Sequence, residues 1–331
     1  MDAYEQITHN VVEAVTEEEV QSLAEAPEGK RAYVGYEPSG VLHVGHMLTA
    51  NKLIELQDLG FEVVVLLADV HAYLNDKGSF ERIRSTAEQM QEQFIAYGLE
   101  PTQAEFVYGS SFQFEEQYIL DLHTLEGVTS LARAERAMSE IKGDGTATVA
   151  HAVYPLMQAL DIVYLDVDLA IGGTEQRKVH MLARDTLNEL DADSPTCLHT
   201  PLIADLETGV GKMSSSDGVS VSMEDSTATL REKINAAYCP PTATPAPTEE
   251  GHERENPVLQ LFEYHVFPRH DTVTVERSEE HGGNLRYDSY TELADDLEDG
   301  ELHPADAKNS LAVYLDSLIA PGRAKIREQQ N

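Results

Sequence analysis

The alternation of short apolar runs with helical segments is the feature that most constrains the fold of this chain. The run VVVLLA (63–68) is continuously apolar, which is typical of a strand buried on both faces of a parallel sheet. Three further segments have strand-like patterns: RAYVGY (31–36), EFVYGSSF (105–112) and VDLAIGG (167–173). Helical patterns lie between and after them, at 79–97, 113–142, 154–165 and 174–190. This βαβ order predicts an α/β fold with a doubly wound parallel sheet, in which ligands bind at the carboxyl ends of the strands.

The pattern changes near residue 225, where we predict a domain boundary. The segment CPPTATPAPTEEGHEREN (239–256) is rich in proline, threonine and glutamate, and it predicts an exposed loop without regular structure. Helical segments follow at 257–267, 289–298 and 304–319, with one strand at 271–277. We therefore predict a larger domain over 1–225, with an inserted helical segment at about 110–150, and a smaller, mostly helical domain over 226–331.

The net charge restricts the partners of this chain. Its 331 residues include 59 acidic and 23 basic ones, which gives a formal charge of −36. Such a balance argues against nonspecific binding to nucleic acid or to an anionic membrane. A globular chain with dispersed Asp and Glu is also typical of adaptation to high salt, where charges are strongly screened.

Cysteines and apolar segments indicate the compartment. The two cysteines, Cys197 and Cys239, form neither a disulfide framework nor a CxxC zinc pattern. The N-terminus lacks a basic segment followed by an apolar run, so no signal peptide is predicted. The apolar run at 63–68 is too short to span a bilayer. We therefore expect a soluble, cytoplasmic protein that does not contact a membrane.

Two histidines flank a glycine in HVGH (43–46), where the first strand leads into a helix. The junction between the strand and the helix, 38–45, is rich in proline, serine and glycine, which favour turns and helix caps. Free N–H groups and the helix dipole make such a helix N-terminus an anion site.

A second loop, GVGKMSSSDG (209–218), combines glycines with one lysine and three serines. Small residues let backbone N–H groups approach a phosphate closely, and Lys212 supplies a positive charge. Taken alone, this loop could equally be a flexible polar surface loop. Together with HVGH, it makes a pair of phosphate-binding elements in one βα fold.

The two motifs resemble the H-I-G-H and K-M-S-K-S signatures of class I aminoacyl-tRNA synthetases. The segments YEPSG, LLADVHAYLNDKG, YPLMQALDI, GGTEQRKVHMLARD and ELHPADAKN extend the resemblance to the archaeal-type tyrosyl-tRNA synthetases, from about residue 5 to residue 320. The resemblance implies a Rossmann-like catalytic domain and a C-terminal anticodon-binding domain. It also implies two reactions: ATP activates L-tyrosine as tyrosyl-adenylate with release of pyrophosphate, and the tyrosyl group then passes to tRNA(Tyr).

The resemblance assigns the ATP site residue by residue. His43, His46, Lys212 and Ser215 are the expected catalytic residues, which bind the phosphates and stabilise the leaving pyrophosphate. The other expected ATP contacts are Gly35, Pro38, Ser39, Gly45, Met213 and Ser214. Ser215 stands where K-M-S-K-S has its second lysine, and Mg²⁺ carried with ATP is the expected compensation. No tightly bound protein metal site is expected.

Tyrosine recognition is expected at the first strand and at the helix that contains YPLMQALDI. By resemblance, Tyr33 and Asp161 bind the phenol, while Tyr154, Gln158 and Gln176 bind the ammonium group. The spacing of Tyr154, Gln158 and Asp161 independently places all three on one helix face. Amphipathic core tyrosines and a solvated helix face are the alternative interpretation. Four residues are weaker candidates for the pocket wall: Leu66, Ala68, His71 and Gln113.

Contacts with tRNA are expected from the few basic clusters and from the C-terminal domain. The candidates are Arg133, Arg136, Arg177 and Lys178 near the acceptor stem, and His281 and Asp306 at the anticodon. Arg133 and Arg136 could equally lie on a helix surface near a dimer interface. Asp306 could instead be an acidic residue that the dipole favours at a helix N-terminus.

Three other functions remain possible at this point. A tryptophanyl-tRNA synthetase shares the motifs, although the pair Tyr33 and Asp161 favours a phenol. A small-molecule adenylyltransferase would not need ELHPADAKN. A non-catalytic synthetase-like RNA-binding protein would be expected to lose His43, His46 or Lys212, and this chain has all three. The resemblance further implies a homodimer formed through the segment near 110–150.

Overall fold

The computed structural model describes residues 1–139, 148–213, 219–248 and 253–329. The chain forms two compact units, and neither is one continuous segment. The first unit contains Met1–Gly40 and Thr49–Pro201, and the second contains Val41–Leu48 and Leu202–Asn331. Compactness and function need not divide a chain at the same residue, so the functional boundary at 225 stays a prediction.

A six-stranded sheet forms the centre of the first unit. Its strands are β1 (Glu13–Val15), β2 (Arg31–Tyr36), β3 (Glu62–Leu67), β4 (Ala104–Tyr108), β5 (Leu169–Gly173) and β6 (Thr196–Thr200). The order is β1-β6-β5-β2-β3-β4, and all neighbours are parallel except β1 and β6. The predicted doubly wound parallel sheet is thus confirmed. The strand order reverses between β2 and β5, and such a switch point is where ligands bind in open α/β sheets.

Helices accompany the sheet of the first unit. They are α1 (Ala3–Thr8), α2 (Glu17–Glu25), α3 (Val44–Asp58), α4 (Asp69–Leu74), α5 (Phe80–Tyr97), α6 (Glu116–Val128), α7 (Leu131–Met138), α8 (Val149–Tyr164) and α9 (Arg177–Thr186). The first five residues of α3 belong to the second unit. The side chain of Ser79 caps α5, and Gly98 with φ 130° ends it, which agrees with the helix predicted over 79–97. Strand residues such as Val64 and Leu66 form the core with helix residues such as Leu160 and Leu182.

Several predicted boundaries in the first unit shift. The strand predicted over 105–112 ends at Tyr108 and continues as a 3₁₀ turn, Gly109–Ser111. The helical pattern predicted over 174–190 is a 3₁₀ turn, then α9, then a second 3₁₀ turn, Leu187–Leu190. The inserted helical segment contains α6 and α7, and its residues 140–147 lie outside the described residues.

The second unit is mostly helical. It contains α10 (Thr227–Ala236), α11 (Pro257–Leu261), a π-helical turn (Phe262–Val266), a 3₁₀ turn (Phe267–Arg269), α12 (Tyr290–Asp299) and α13 (Pro304–Gln329). The short strands β9 (Val273–Val275) and β10 (Leu285–Tyr287) pair antiparallel. Over the described parts of the chain, no helix is long and apolar enough to cross a membrane.

Two predictions in the second unit are wrong in part. The segment 239–256 contains a small hairpin of β7 (Ala246–Pro247) and β8 (Glu253–Arg254). The guanidinium of Arg254 in β8 stacks 4.2 Å from the Tyr238 ring centre and donates to the backbone of Thr208. Helix α13 runs ten residues beyond the predicted end at 319, through Pro321. There Arg323 donates to the Thr227 hydroxyl of α10 at 3.2 Å and Gly322 packs against Met223, so tertiary contacts override the Pro-Gly stop signal.

Candidate active site

Asp161 on α8 is the centre of a buried polar cluster in the first unit. Its side chain is fully buried, and its Oδ1 accepts hydrogen bonds of 2.8 Å from Gln113 Nε2 and from the Tyr118 hydroxyl. Nε2 of His71 lies 3.7 Å from its Oδ2. Burial raises the pKa of Asp161 to about 7, although the two hydrogen bonds act in the opposite direction.

Three polar atoms of this cluster have no hydrogen-bond partner in the described part of the chain: Asp161 Oδ2, His71 Nε2 and Gln113 Oε1. Buried polar atoms in folded proteins are nearly always paired, so an unpaired group of them indicates a ligand. Asp161 Oδ2 can accept a hydrogen bond from a ligand hydroxyl. His71 and Gln113, which were weaker candidates for the pocket wall, thus lie directly beside Asp161 in this cluster.

Tyr33 on β2 belongs to the same buried region. Its side chain is 1% exposed, and burial, followed by the charge of Asp161, raises the pKa of its phenol well above the usual value. Its hydroxyl lies over Gly35, because a Cβ built at Gly35 would be 2.6 Å from that oxygen. Gly35, predicted as an ATP contact, therefore has a second reason to lack a side chain.

Polar groups also gather around the middle of α8. The Tyr154 hydroxyl donates to Glu37 at 2.8 Å, and Gln158 donates to Gln176 at 3.0 Å. The ring of Tyr154 packs edge-on against His71, with ring centres 4.5 Å apart. The structure therefore brings the five predicted tyrosine-binding residues into one unit, with Tyr154 beside His71 and Gln158 beside Gln176.

Sequence reasoning missed Glu37 and Tyr118. Glu37 directly follows β2, at the carboxyl end where ligands bind, and that position was the available signal. It accepts from Asn75 at 3.0 and 3.1 Å as well as from Tyr154. Tyr118 lies on α6 among the apolar residues Leu122 and Leu125, and no local pattern separates it from them.

HVGH in the second unit holds two histidine rings against each other, with centres 3.8 Å apart. Nδ1 of His43 accepts from the Gly45 N–H at 3.1 Å, and Nδ1 of His46 accepts from the His43 N–H at 3.4 Å. Each Nδ1 therefore carries a lone pair, so each neutral ring carries its hydrogen on Nε2. Burial lowers the pKa of His43 to about 4 and that of His46 well below the usual value. Both rings are neutral Nε2–H donors at pH 7.

The chain that follows the glycine-bounded loop pairs with the segment around HVGH. Val44 N donates to Val221 O at 3.0 Å, and Met223 N donates to Leu42 O at 2.9 Å. At the start of the loop, Met213 is buried and Lys212 is exposed. Gly209 and Gly211 have φ of 69° and 70°, which other residues rarely adopt. Ser214 and Ser215 lie outside the described residues, as does the rest of 214–218.

The remaining ATP candidates lie in the loop between β2 and α3. Pro38 is buried and Ser39 is exposed. Gly45 sits in the first turn of α3, where a Cβ would lie 2.9 Å from Cε1 of the His43 ring.

Three of the six predicted tRNA contacts already have protein partners among the described residues. Arg133 forms an ion pair with Asp185, and Arg177 binds both carboxylate oxygens of Glu13 at 2.7–3.0 Å. Lys178 donates to Ser139 at 2.9 Å, and Arg136 is exposed. Asp306 lies in the first turn of α13, as its alternative interpretation predicted, and it is half-buried. The backbone of His281 ends a 3₁₀ turn, and its side chain is not described.

Comparisons with known proteins agree on one family. A family model described as tRNA synthetases class I (W and Y) matches residues 27–320. The curated tyrosine–tRNA ligase of Halorubrum lacusprofundi is 69% identical over 99% of this chain and 100% of its own length. That of Halobacterium salinarum is 66% identical over 99% of both chains.

A solved structure agrees as well. The tyrosyl-tRNA synthetase of Archaeoglobus fulgidus, solved in complex with L-tyrosine, is 47% identical and superposes with a TM-score of 0.90 over 98% of each chain. The names of these relatives favour the predicted tyrosine enzyme over the tryptophan alternative. The chain therefore belongs to the class I tRNA synthetases of the tryptophan and tyrosine group, and within it to the archaeal-type tyrosyl-tRNA synthetases, which are tyrosine–tRNA ligases.

Proposed function

We propose that this chain charges tRNA(Tyr) in two steps, with the residues assigned below. The carboxylate of L-tyrosine attacks the α-phosphate of ATP, which gives tyrosyl-adenylate and pyrophosphate. A ribose hydroxyl at the 3′ end of tRNA(Tyr) then attacks the activated carbonyl and releases AMP. The observation that carries the proposal is the buried cluster around Asp161, whose unpaired atoms match the hydroxyl of a phenol.

The phenol site explains the choice of tyrosine over phenylalanine. The substrate hydroxyl donates to Asp161 Oδ2, and Tyr33 supplies the second contact. Phenylalanine has the same ring but would leave Asp161 Oδ2 buried and unpaired. Leaving buried polar groups unpaired costs about 1–3 kcal/mol for each group, and more for a charged one. Discrimination therefore comes from desolvated polar atoms of the protein, while the ring itself contributes equally to both substrates.

Tyr154, Gln158 and Gln176 bind the amino-acid end of the substrate. The contact between Tyr154 and Glu37 adds a carboxylate, which complements an ammonium group. These residues orient the substrate carboxylate for attack, so they act chiefly by positioning.

His43 and His46 stabilise the charge that develops on the phosphates. Their rings are held as neutral Nε2–H donors, which need no proton rearrangement when charge moves toward pyrophosphate. Lys212, exposed and preceded by a glycine with positive φ, closes on the pyrophosphate together with Met213, Ser214 and Ser215. Gly45 leaves room for adenine, and Pro38 and Ser39 lie in the loop that follows β2.

Mg²⁺ enters with ATP as part of the substrate. It supplies positive charge in place of the absent second lysine. Members of this family use ATP. Among the described residues, no group of three or more His, Cys, Asp or Glu is arranged to hold a metal ion. Phosphate oxygens and water are ligands that Mg²⁺ prefers.

The tRNA contacts are proposed at Arg133, Arg136, Arg177 and Lys178 for the acceptor stem, and at His281 and Asp306 for the anticodon. A carboxylate such as Asp306 accepts from the N–H donors of guanine, and an imidazole can stack on a base. The ion pairs of Arg133 and Arg177 would have to exchange their carboxylate partners for phosphates. We propose the cytoplasm as the compartment, where the free thiols Cys197 and Cys239 stay reduced.

A homodimer through the segment near 110–150 is supported by its apolar surface. Six apolar side chains of this segment are between 38% and 81% exposed: Phe114, Ile119, Leu120, Val128, Leu131 and Val149. Exposed apolar side chains concentrated in one segment would be covered by a protein interface. Light scattering of a Leu131→Glu variant tests the proposal, because a monomer is expected for the variant and a dimer for the parent.

Amino-acid-dependent ATP–pyrophosphate exchange in molar KCl tests the function. Exchange is expected with tyrosine, and not with phenylalanine or tryptophan. A Tyr33→Phe, Asp161→Ala double variant is expected to lose the preference for tyrosine. Tyr97→Phe is the matched control, because it removes another buried phenol, one that donates to Asn51 on α3. Absence of exchange with every amino acid would contradict the proposal.

A further inference from the structure

A buried chain of hydrogen bonds joins the edge strand β1 to α9. Glu13 lies opposite His199 in the sheet, and its Oε2 is 2.9 Å from Nδ1 of that residue. Nε2 of His199 is in turn 3.0 Å from Nδ1 of His180. Both histidines are buried, at 0% and 1% exposure, and no motif of the sequence indicated that they meet.

The carboxylate of Glu13 fixes the direction of every bond in this chain. The hydrogen bonds from Arg177 hold the pKa of Glu13 below its ordinary value, so the carboxylate is ionised and only accepts. His199 must therefore carry its hydrogen on Nδ1 and a lone pair on Nε2. That lone pair accepts from Nδ1–H of His180. Burial lowers the pKa of both histidines, that of His180 to about 3, so each ring has only one hydrogen. His180 consequently keeps a lone pair on Nε2.

His180 lies next to the proposed amino-acid site. It follows Gln176 by four residues, so the two lie one turn apart, at the carboxyl end of β5. A Cβ built at Gly172 would lie 2.7 Å from Cβ and Cγ of Gln176 and 3.3 Å from Cε1 of His180. The two side chains therefore share the space above this glycine. Within the described ranges, Nε2 of His180 has no hydrogen-bond partner.

We infer that Glu13 and His199 are positioning residues that present Nε2 of His180 as a hydrogen-bond acceptor for the α-ammonium group of tyrosine. An ammonium group has three donors and needs acceptors. The amide oxygen of Gln176 already accepts from Gln158, and a further acceptor completes the site. The inference rests on the proposed tyrosine site, and it adds one binding residue and the two residues that set its tautomer.

A Glu13→Gln variant tests the inference with almost no change in shape. The amide oxygen can stay with Arg177 while the amide NH₂ donates to His199, which reverses the chain and leaves an N–H on Nε2 of His180. An N–H pointing at an ammonium group repels it. We expect the Kd for tyrosine, measured by calorimetry in molar KCl, to rise about tenfold to a hundredfold. The Kd for 3-(4-hydroxyphenyl)propionate, which lacks the ammonium group, should change by less than about twofold.

Glu19→Gln is the matched control. Glu19 also pairs with an arginine of α9, because Arg184 binds its two oxygens at 2.8 and 2.9 Å, but no histidine is attached to that pair. This control should leave both dissociation constants unchanged. If Glu13→Gln weakened the binding of tyrosine and of its deaminated analogue equally, the inference would be overturned, because equal weakening would show general damage to the pocket.

Nitrogen-resolved NMR of the histidine rings gives a readout that does not depend on activity. His180 should carry its hydrogen on Nδ1 in the parent protein, and its Nε2 signal should shift when tyrosine is added but not when the analogue is added. A hydrogen on Nε2 in the parent would overturn the inference even if tyrosine binds. If the proposed function is wrong, the NMR signals of the pocket residues should not shift when tyrosine is added. His180 would still carry its hydrogen on Nδ1 in that case. The parent measurement also stands if Glu13→Gln does not fold.

Discussion

The hydroxyl of Tyr118 donates a 2.8 Å hydrogen bond to Oδ1 of Asp161, so the two carboxylate oxygens have different roles. Oδ1 is held by the protein, because Gln113 donates to it as well. Oδ2 has no partner in the described part of the chain and is the oxygen left for a substrate phenol. The two residues are 43 positions apart, so the fold alone brings them together.

Replacing Tyr118 with phenylalanine should weaken tyrosine recognition without removing it. Oδ1 would keep only the bond from Gln113, and the pKa of Asp161 would rise above about 7, because a hydrogen bond that lowers it is lost. We expect tyrosine affinity at pH 7 to fall about tenfold. Phenylalanine affinity should be unchanged, since it makes no use of Asp161. Calorimetry with both amino acids measures this difference, and Tyr97→Phe serves again as the control.

The raised pKa of Asp161 implies that this residue, although it binds the substrate, lowers the stability of the folded protein at neutral and higher pH. Folding raises this pKa from 3.8 to about 7, so the folded protein binds the proton more tightly than the unfolded chain does. The contribution of protonated Asp161 to the free energy of unfolding is therefore complete below pH 3.8. It is lost as the pH rises through about 7, where the buried carboxyl group ionises. The difference corresponds to at most ~4 kcal/mol.

Asp161→Asn should therefore stabilise the substrate-free protein at pH 8 while it weakens tyrosine binding. Thermal melting of parent and variant at pH 5 and pH 8 measures the effect, with a larger advantage of the variant expected at pH 8. His71, Tyr33 and Tyr118 face the same group, and burial shifts the pKa values of all three toward their neutral forms. The charge of Asp69 also acts on Asp161 and raises its pKa. An equal difference between the two proteins at both pH values would contradict the assignment of this pKa to Asp161.

The sequence predicted those features that depend on local spacing. The i, i+4, i+7 spacing of Tyr154, Gln158 and Asp161 needs only a helix, and α8 supplies it. The apolar run at 63–68 was long enough to indicate β3. By contrast, β1 has three residues and β6 reads TCLHT, so neither has a distinctive pattern. Their pairing places Glu13 beside His199, a contact between residues 186 positions apart. No window of sequence contains both residues.

Gly45→Ala should disturb His43 before it disturbs the fold. The added Cβ would lie 2.9 Å from Cε1 and 3.0 Å from Nδ1 of His43, so the ring must move and lose its bond from the Gly45 N–H. We expect kcat for pyrophosphate exchange to fall at least about tenfold, as for a misplaced charge-stabilising donor. The melting temperature should change little, because alanine has the higher helix propensity. Gly40→Ala, in the loop before α3, is the control, since its Cβ would meet no atom within 4 Å.

Lys233→Met should loosen the segment that pairs with HVGH. The ammonium of Lys233 lies 2.7 Å from both oxygens of Asp225 and 2.8 Å from the Ser220 carbonyl. Asp225 also accepts from the N–H of Ser222, which lies opposite His43. Removing the cation leaves a mostly buried carboxylate unpaired, so we expect a loss of about 2–3 kcal/mol in unfolding free energy.

The same variant should raise the KM for ATP while the KM for tyrosine stays within about twofold, because the Asp161 cluster does not depend on Lys233. Lys308→Met is the matched control, since that ammonium donates to a carbonyl, Asn235 O at 3.1 Å, and not to a carboxylate. A parallel rise of both KM values in Lys233→Met would show a general loss of structure and contradict a specific effect on the ATP motifs.

The charge of −36 predicts that stability rises with salt. At 0.01 M ionic strength like charges repel over about 30 Å, whereas at 1 M the screening length is about 3 Å. The acidic residues outnumber the basic ones by 36, so repulsion outweighs the ion pairs unless it is screened. We expect the melting temperature and the rate of pyrophosphate exchange to increase between 0.1 and 2 M KCl. Sorbitol at equal osmolality is the control, because it is excluded from protein surfaces but does not screen charge. Equal stability at low and high KCl would refute adaptation to salt, and an equal response to sorbitol would show that screening is not its cause.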